Sequence, residues 1–266
     1  MSWITRRVSC LAHKSIGSNR LIGDGETVVV GVSGGADSLC LLHVLESLNR
    51  TGRRNWDLRA VHVDPGFEKW NSARVVKACK TVGIDCTVLH GDGHGSSRRP
   101  GNDSCFVCAR KRRRALFSFC GEAGSRKLAL AHNLDDVNET FLMNLLYTSS
   151  ARTILPAQPL FGGKLTIVRP LYYVDRGLVL RYLKIAGIRA VRNRCRSERS
   201  SSRATVRRFL KRLYAEDPRI RTNLFASLHN LKPDYLPKPK SSPARPLQPP
   251  GKREAARRPP DSPMRI

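Results

Sequence analysis

Three groups of residues in this sequence have the types and spacing for chemistry. The first is "GVSGGADS", residues 31–38, which follows "ETVVV" and precedes a leucine-rich run. Glycine has no Cβ, so the backbone at Gly34 and Gly35 is free to take positive φ and bring its N–H groups close to a ligand. Where a strand feeds such a loop into a helix start, those N–H groups and the positive end of the helix dipole make an anion site. Ser33 and Ser38 add hydroxyls for phosphate oxygens, and Asp37 adds a carboxylate suited to Mg²⁺. Neither G-x-x-x-x-G-K-[ST] nor G-x-G-x-x-G occurs here, which argues against the common nucleotide loops.

The second group is "AHNLDDVNETFLMNLL", residues 131–146, carrying His132, Asp135, Asp136 and Glu139. Acidic residues in a first helical turn ordinarily serve as caps or dipole partners. Beside a phosphate loop, an Asp pair and a His also suit Mg²⁺ binding and acid–base work. The third group is "CFVCARKRRR", residues 105–114. A C-x-x-C pair binds zinc, carries redox chemistry or supplies two ligands of an iron–sulfur cluster, and spacing alone does not choose. Cys120 is twelve residues beyond Cys108, roughly 18 Å along a continuous helix, and cannot share the metal. Cys195, in "RNRCRSERSSSR", is the other cysteine in a polar segment. Three thiolates leave one iron of a cluster open, whereas a closed zinc site would need a fourth ligand such as a histidine.

The elements that must position these groups alternate. Strand patterns at 27–32, 58–64, 85–90, 126–132 and 165–168 are interleaved with helical patterns after residue 38 and at 69–82, 108–123, 135–146 and 175–186, with a polar Gly/Ser loop at 91–104. Such alternation predicts an α/β fold, a doubly wound parallel sheet whose ligands bind at the carboxyl ends of the strands. Both the glycine loop and the His132–Asp135 segment fall at that edge. Cys40, Cys79, Cys86 and Cys120 lie in or beside apolar patterns and are expected to be small core residues.

The chain has 266 residues with 48 Lys and Arg against 21 Asp and Glu, a net charge of +27. A charge that large favours a polyanionic partner, of which nucleic acid is the commonest. Residues 237–266 carry only +6 of it, from eight basic and two acidic residues, so the body keeps +21. Nine of those thirty are proline and none is aromatic, the composition of a disordered tail. No run has the length of a signal peptide or a membrane span, so a cytoplasmic protein without a membrane partner is expected.

The first group resembles the S-G-G-x-D-S pyrophosphate loop of the PP-loop ATPases, which cleave ATP between the α and β phosphates. The second resembles the H-x-x-D-D…E-T signature of the tRNA-modifying members. C-x-x-C followed by arginines, a third cysteine after "RPL", and "RRFLKRLYAEDPRIRTNLFASLHNLKPDYL" together look like tRNA 2-thiocytidine synthetase and its thiolase relatives, over about residues 16–236. The resemblance implies an adenine nucleotide alpha hydrolase-like fold. It divides the chain into an N-terminal helical segment (1–24), an ATP pyrophosphatase domain (25–190), a helical extension with the third cysteine (191–236) and the basic tail.

By the same resemblance, Ser33, Gly34, Gly35, Asp37 and Ser38 would bind the pyrophosphate of ATP and Mg²⁺, with Asp64 and His132 beside the nucleotide. Asp135 and Asp136 would share the catalytic centre with Asp37, and Cys105, Cys108 and Cys195 would hold a [4Fe–4S] cluster. Arg110, Arg112, Arg113 and Arg114 would contact tRNA. A homodimer is implied, supplied with sulfur by a cysteine desulfurase or by inorganic sulfide. The reaction would adenylate C2 of a pyrimidine, best an anticodon-loop cytidine, and then insert sulfur. A lysidine-type tRNA ligase, or an RNA-binding protein with a degenerate loop and a structural zinc, is the alternative. Ala36 departs from the lysine usual in close 2-thiocytidine enzymes, "VHVDPGF" is shorter than its counterpart, and "HNLDD" is nearer to the uridine thiolases, whose paired zinc knuckles are absent.

Overall fold

The computed structural model describes residues 2–52, 54–66, 70–90, 103–191 and 201–235, with the backbone alone for 103–107. Strand β1 (Thr27–Gly31) explains the centre of the molecule. Its β-branched run alternates faces: Val28 and Val30 enter one apolar cluster and Val29 the other, all three without solvent exposure. Burial on both faces is the condition of a central strand in a parallel sheet. β2 (Asp57–Asp64) and β4 (Lys127–Ala129) flank it in parallel, β3 (Cys86–His90) lies outside β2, and β6 (Leu165–Val168) outside β4.

The described sheet therefore has the order β3-β2-β1-β4-β6-β5. The chain winds outward from β1 to β3 and returns on the other side of β1 at β4. That makes the β1/β4 boundary the switch point, where a crevice opens at the carboxyl ends. Helices α1 (Trp3–Ser18), α2 (Ala36–Gly52), α3 (Ser72–Lys80) and α6 (Arg176–Ile185) contribute to the larger cluster on one face. On the other face, α4 (Asp103–Glu122) buries Leu116 and Cys120 against Val29, Val61 and Leu128. Helix α5 (Leu134–Thr148) starts at the switch point and packs on α7 (Ser202–Glu216) and α8 (Arg219–Ser227), the helical C-terminal extension.

Three expectations need correction. The sheet is not wholly parallel, because β5 (Ala157–Leu160) joins β6 antiparallel at the edge; its sequence, AQPL, has no strand pattern, and an edge strand tolerates Pro159 because one row of its backbone groups needs no partner. Helix α4 begins at Asp103, not near Cys108, so both cysteines of the C-x-x-C pair stand on a helix and not in a loop. β4 is shorter than residues 126–132. Cys40, Cys79 and Cys120 are buried as expected, whereas Cys86 is half-buried. Cys195 and the proline-rich tail lie outside the described residues. No helix among the described residues is long and apolar enough to cross a membrane.

Candidate active site

Between β1 and α2 the loop needs glycine at position 34 for two reasons. Its φ is +79°, and a Cβ there would stand 2.8 Å from Val75 Cγ2 and 3.2 Å from Val191 Cβ. Val191 N–H donates to Gly34 O at 2.9 Å, closing the contact. The serines close the turn on itself: Ser38 Oγ donates to Gly35 O at 2.9 Å, Ser33 N–H donates to Ser38 Oγ at 3.2 Å, and Gly35 N–H donates to Ser33 Oγ at 3.3 Å. Ser38 is buried and Ser33 exposed. With the start of α2 behind it, the turn has the backbone form that suits an anion.

Two residues of β2 support the cradle. His62, buried, lies between Val32 O, 2.8 Å from Nδ1, and the Trp70 indole N–H, 3.1 Å from Nε2. A carbonyl accepts and an indole N–H donates, so the proton sits on Nδ1 and the ring is neutral; burial lowers its pKa accordingly. Asp64 accepts from Ser72 Oγ at 2.7 Å and Gly66 N–H at 2.8 Å. Burial would raise its pKa, but these hydrogen bonds outweigh it and hold the carboxyl below its ordinary value. Asp64 thus organises the turn toward α3.

Across the switch point, Asn133 caps α5. Its Oδ1 accepts from Asp136 N–H and its own N–H donates to Asp136 Oδ2, both at 3.1 Å, a reciprocal capping box. Its remaining amide donates to Asp37 Oδ1 at 2.7 Å. Burial raises the Asp37 pKa; Arg176 pulls it down and Asp136 pushes it up again. Asp37, Asn133, Asp136 and Arg176 are therefore one constellation. Asn133 was not singled out from the sequence, although an Asn with an Asp three residues on is itself a capping signal.

The other acidic residues turn to different partners. Asp135 accepts from Arg176 N–H at 2.7 Å and from Arg221 Nε at 3.2 Å. Glu139, 2% exposed, meets Arg207 Nε at 2.7 Å, Arg176 Nη1 at 3.2 Å and Arg203 Nε at 3.3 Å. These arginines come from α6, α7 and α8, so the carboxylates of α5 bind the C-terminal helices to the switch point. Glu139 is buried but its arginines are partly exposed to solvent, so removing the carboxylate costs about 1–3 kcal/mol. No spacing in the sequence announces these contacts.

His132 accepts at Nδ1 from Arg169 Nε, 3.2 Å away. Burial, then the fields of Arg169, Arg203, Arg112 and Arg113, push its pKa down to about 3, and the ring is neutral at physiological pH. A neutral ring donates or accepts a hydrogen bond but does not deliver a proton as an imidazolium. Arg112 and Arg113 belong to the exposed basic run 110–114 of α4. Cys108 is half-buried on α4, and Cys105 is one turn earlier on the same helix. Positions i and i+3 share a helix face, which fits two ligands of one cluster. Among the described residues no group of three or more His, Cys, Asp or Glu is placed to hold a metal ion.

The model of the PP-loop domain matches residues 9–213. The tRNA-cytidine(32) 2-sulfurtransferase of Syntrophotalea carbinolica is 34% identical over 87% of this chain and 91% of its own length. The chain belongs to the PP-loop family, in the branch of the tRNA-cytidine 2-sulfurtransferases. The enzyme of that name from Pelobacter propionicus is 32% identical over 87% of this PP-loop chain and 88% of its own length. Among solved structures, the U34-tRNA thiolase NcsA from Methanococcus maripaludis with its [4Fe–4S] cluster matches with a TM-score of 0.67 and 21% identity. The match covers 85% of this chain and 79% of that one. It supports the PP-loop fold, with its mostly parallel sheet and flanking helices.

Proposed function

We propose that this enzyme uses ATP to replace the C2 oxygen of a cytidine in the tRNA anticodon loop by sulfur. The observation that carries the reading is the hydrogen bond from Asn133 to Asp37, which joins the two signatures across 96 residues into one site at the switch point. The names of the curated relatives support tRNA and the cytidine as substrates. The C2 oxygen is a poor leaving group, so it first attacks the α phosphate of ATP and pyrophosphate departs; a sulfide then attacks C2 and AMP leaves with the oxygen.

In the first step the N–H groups around Gly35 and the hydroxyls of Ser33 and Ser38 bind the departing pyrophosphate, stabilising charge as it develops. Asp37 fits Mg²⁺, because a divalent cation relieves the burial that raises its pKa, and Asp136 stands beside it. Asn133 fixes the Asp37 carboxylate, and Arg176 offsets part of the burial that raises its pKa. His132, neutral, acts as a hydrogen-bonding wall and not as an acid. Asp135 positions Arg176 and the C-terminal helices. Arg110, Arg112, Arg113 and Arg114 bind tRNA phosphates next to the site.

For the second step, Cys105, Cys108 and Cys195 would hold a [4Fe–4S] cluster. When bound, it supplies an iron with no protein ligand, suited to carrying an inorganic sulfur atom. The sulfur comes from a desulfurase or from free sulfide, and the active form is a homodimer in the cytoplasm. Incubation of anaerobically reconstituted protein with tRNA, ATP and sulfide, followed by nucleoside mass spectrometry, tests the reading. The expected product is 2-thiocytidine with one pyrophosphate released per sulfur inserted. A 2-thiouridine or lysidine product overturns it.

A further inference from the structure

Helix α7 treats the charge on its two faces differently. It carries Arg203, Arg207, Arg208, Lys211 and Arg212 against a single acidic residue, Glu216. The inner face buries Val206 and Leu210, and there Arg203 and Arg207 reach Glu139 of α5 at 3.3 and 2.7 Å. On the same side Asn138 Nδ2 donates to the Tyr214 hydroxyl at 3.0 Å. These contacts fix α7 against the first turns of α5, where Asp136 belongs to the candidate active site.

The outer face has no carboxylate to meet it. Thr205, Arg208, Phe209 and Arg212 follow the i, i+3, i+4, i+7 spacing of one helix stripe, with Lys211 at its margin. Arg208, Lys211 and Arg212 are exposed, and among the described residues none of them forms an ion pair, not even Arg212 with Glu216 one turn on. Arg208 Nη2 donates to Thr205 Oγ1 at 3.4 Å. Between the two arginines Phe209 is 45% exposed and meets no other ring among the described residues.

A single exposed apolar side chain is ordinary on a protein surface. An unstacked ring flanked at helical spacing by unpaired cations is the composition of a platform for single-stranded nucleic acid: the cations take phosphates, and the ring face takes a base. A duplex offers phosphates but keeps its bases stacked inside, whereas a loop can splay one out. The inner and outer sides of α7 are one helix diameter apart, about 10–12 Å, so a strand held on the outer side stays close to the α5 carboxylates.

We propose that the outer face of α7 binds the anticodon loop of the tRNA, with its phosphates on Arg208, Lys211 and Arg212 and one unpaired base stacked on Phe209. The choice of tRNA rests on the function proposed above; the demand for an unpaired, anionic strand comes from the face itself.

The test measures binding of the full-length protein to an isolated anticodon stem–loop with a cytidine in the loop, and to the stem duplex without a loop, over a range of salt. Phe209→Leu keeps an apolar side chain but no ring. It should bind the stem–loop about tenfold more weakly, with the salt slope and the duplex affinity unchanged, and Phe209→Trp should bind as the parent does. Arg208→Ala with Arg212→Ala should weaken both RNAs and flatten the log–log salt slope by about 1–2. These side chains point away from α5, so each variant should keep the Tm and the ATP Kd of the parent. Parent affinity in Phe209→Leu, or an equal loss on stem–loop and duplex, overturns the proposal, and so does an unchanged slope in the double arginine variant. A parent protein that binds neither RNA overturns the tRNA reading together with this surface. Binding with the expected losses but no 2-thiocytidine product overturns the function and leaves the surface standing.

Discussion

The glycine loop and the α5 cluster meet at one hydrogen bond but are built in opposite ways. The loop is made of backbone: eight consecutive residues, a positive φ at Gly34, serines bonded to their own turn, and a helix start. The cluster is made of side chains from four helices, with Asp135, Asp136 and Glu139 on α5 answered by Arg176, Arg203, Arg207 and Arg221 from α6, α7 and α8. A local device concentrates its chemistry on one ligand. A distributed one spends its charge on holding elements together. The difference predicts that mutations in the loop damage catalysis first, and mutations in the cluster damage stability first.

The largest expected effect is at the joint. Asp37→Ala should lower pyrophosphate release by about 10³-fold, the scale seen when a preorganised electrostatic group is removed. Its sign for stability is the reverse. Burial raises the Asp37 pKa in the folded state, so between the ordinary 3.8 and that raised value the folded protein binds more protons, and stability falls as pH rises through this window. Asp37→Asn, which keeps the partner of Asn133, should therefore melt no lower than the parent at pH 7 while losing ATP cleavage. Release at the parent rate by either variant removes Asp37 from the chemistry.

Next in size is Glu139→Gln. It leaves three partly exposed guanidiniums without their shared buried carboxylate and should cost about 1–3 kcal/mol. In a domain of this size that is a fall in Tm of about 5 °C, with the ATP KM of the folded fraction little changed. A variant that melts normally but no longer cleaves ATP would place Glu139 with the loop and break the distinction.

Smaller effects belong to the periphery. Arg112→Ala with Arg113→Ala should weaken tRNA binding and flatten its log–log salt dependence by about 1–2, with tRNA-independent ATP binding unaltered. An unchanged slope makes the run an ordinary solvated face. His132 gives the finest test. Its folded pKa of about 3 lies below the ordinary 6.5, so the unfolded chain binds the extra proton and stability falls as pH drops from 6.5 toward 3. Urea midpoints at pH 7 and pH 5 should differ less in His132→Gln than in the parent. The rate profile between pH 6 and 8 should carry no ionisation from this ring.

The local parts of this protein are legible in consecutive residues. β1 was visible as a β-branched run because a strand buried on both faces needs no alternation. The loop was visible because only glycine takes its turn and only short polar side chains line it. Asp37, Asp135, Asp136 and His132 could be placed at one sheet edge, since winding order puts the ends of β1 and β4 together. Tertiary structure alone decided which of them face each other. It gave Asp37 to Asn133, Asp135 and Glu139 to arginines up to 86 residues away in the chain, and His132 to Arg169. It also hung the strand AQPL on an edge where pattern counts for little. The physical reason is range: φ, capping and alternation act over a few residues and leave their mark in consecutive letters, whereas charge pairing and close packing act through space, after the chain has folded back on itself.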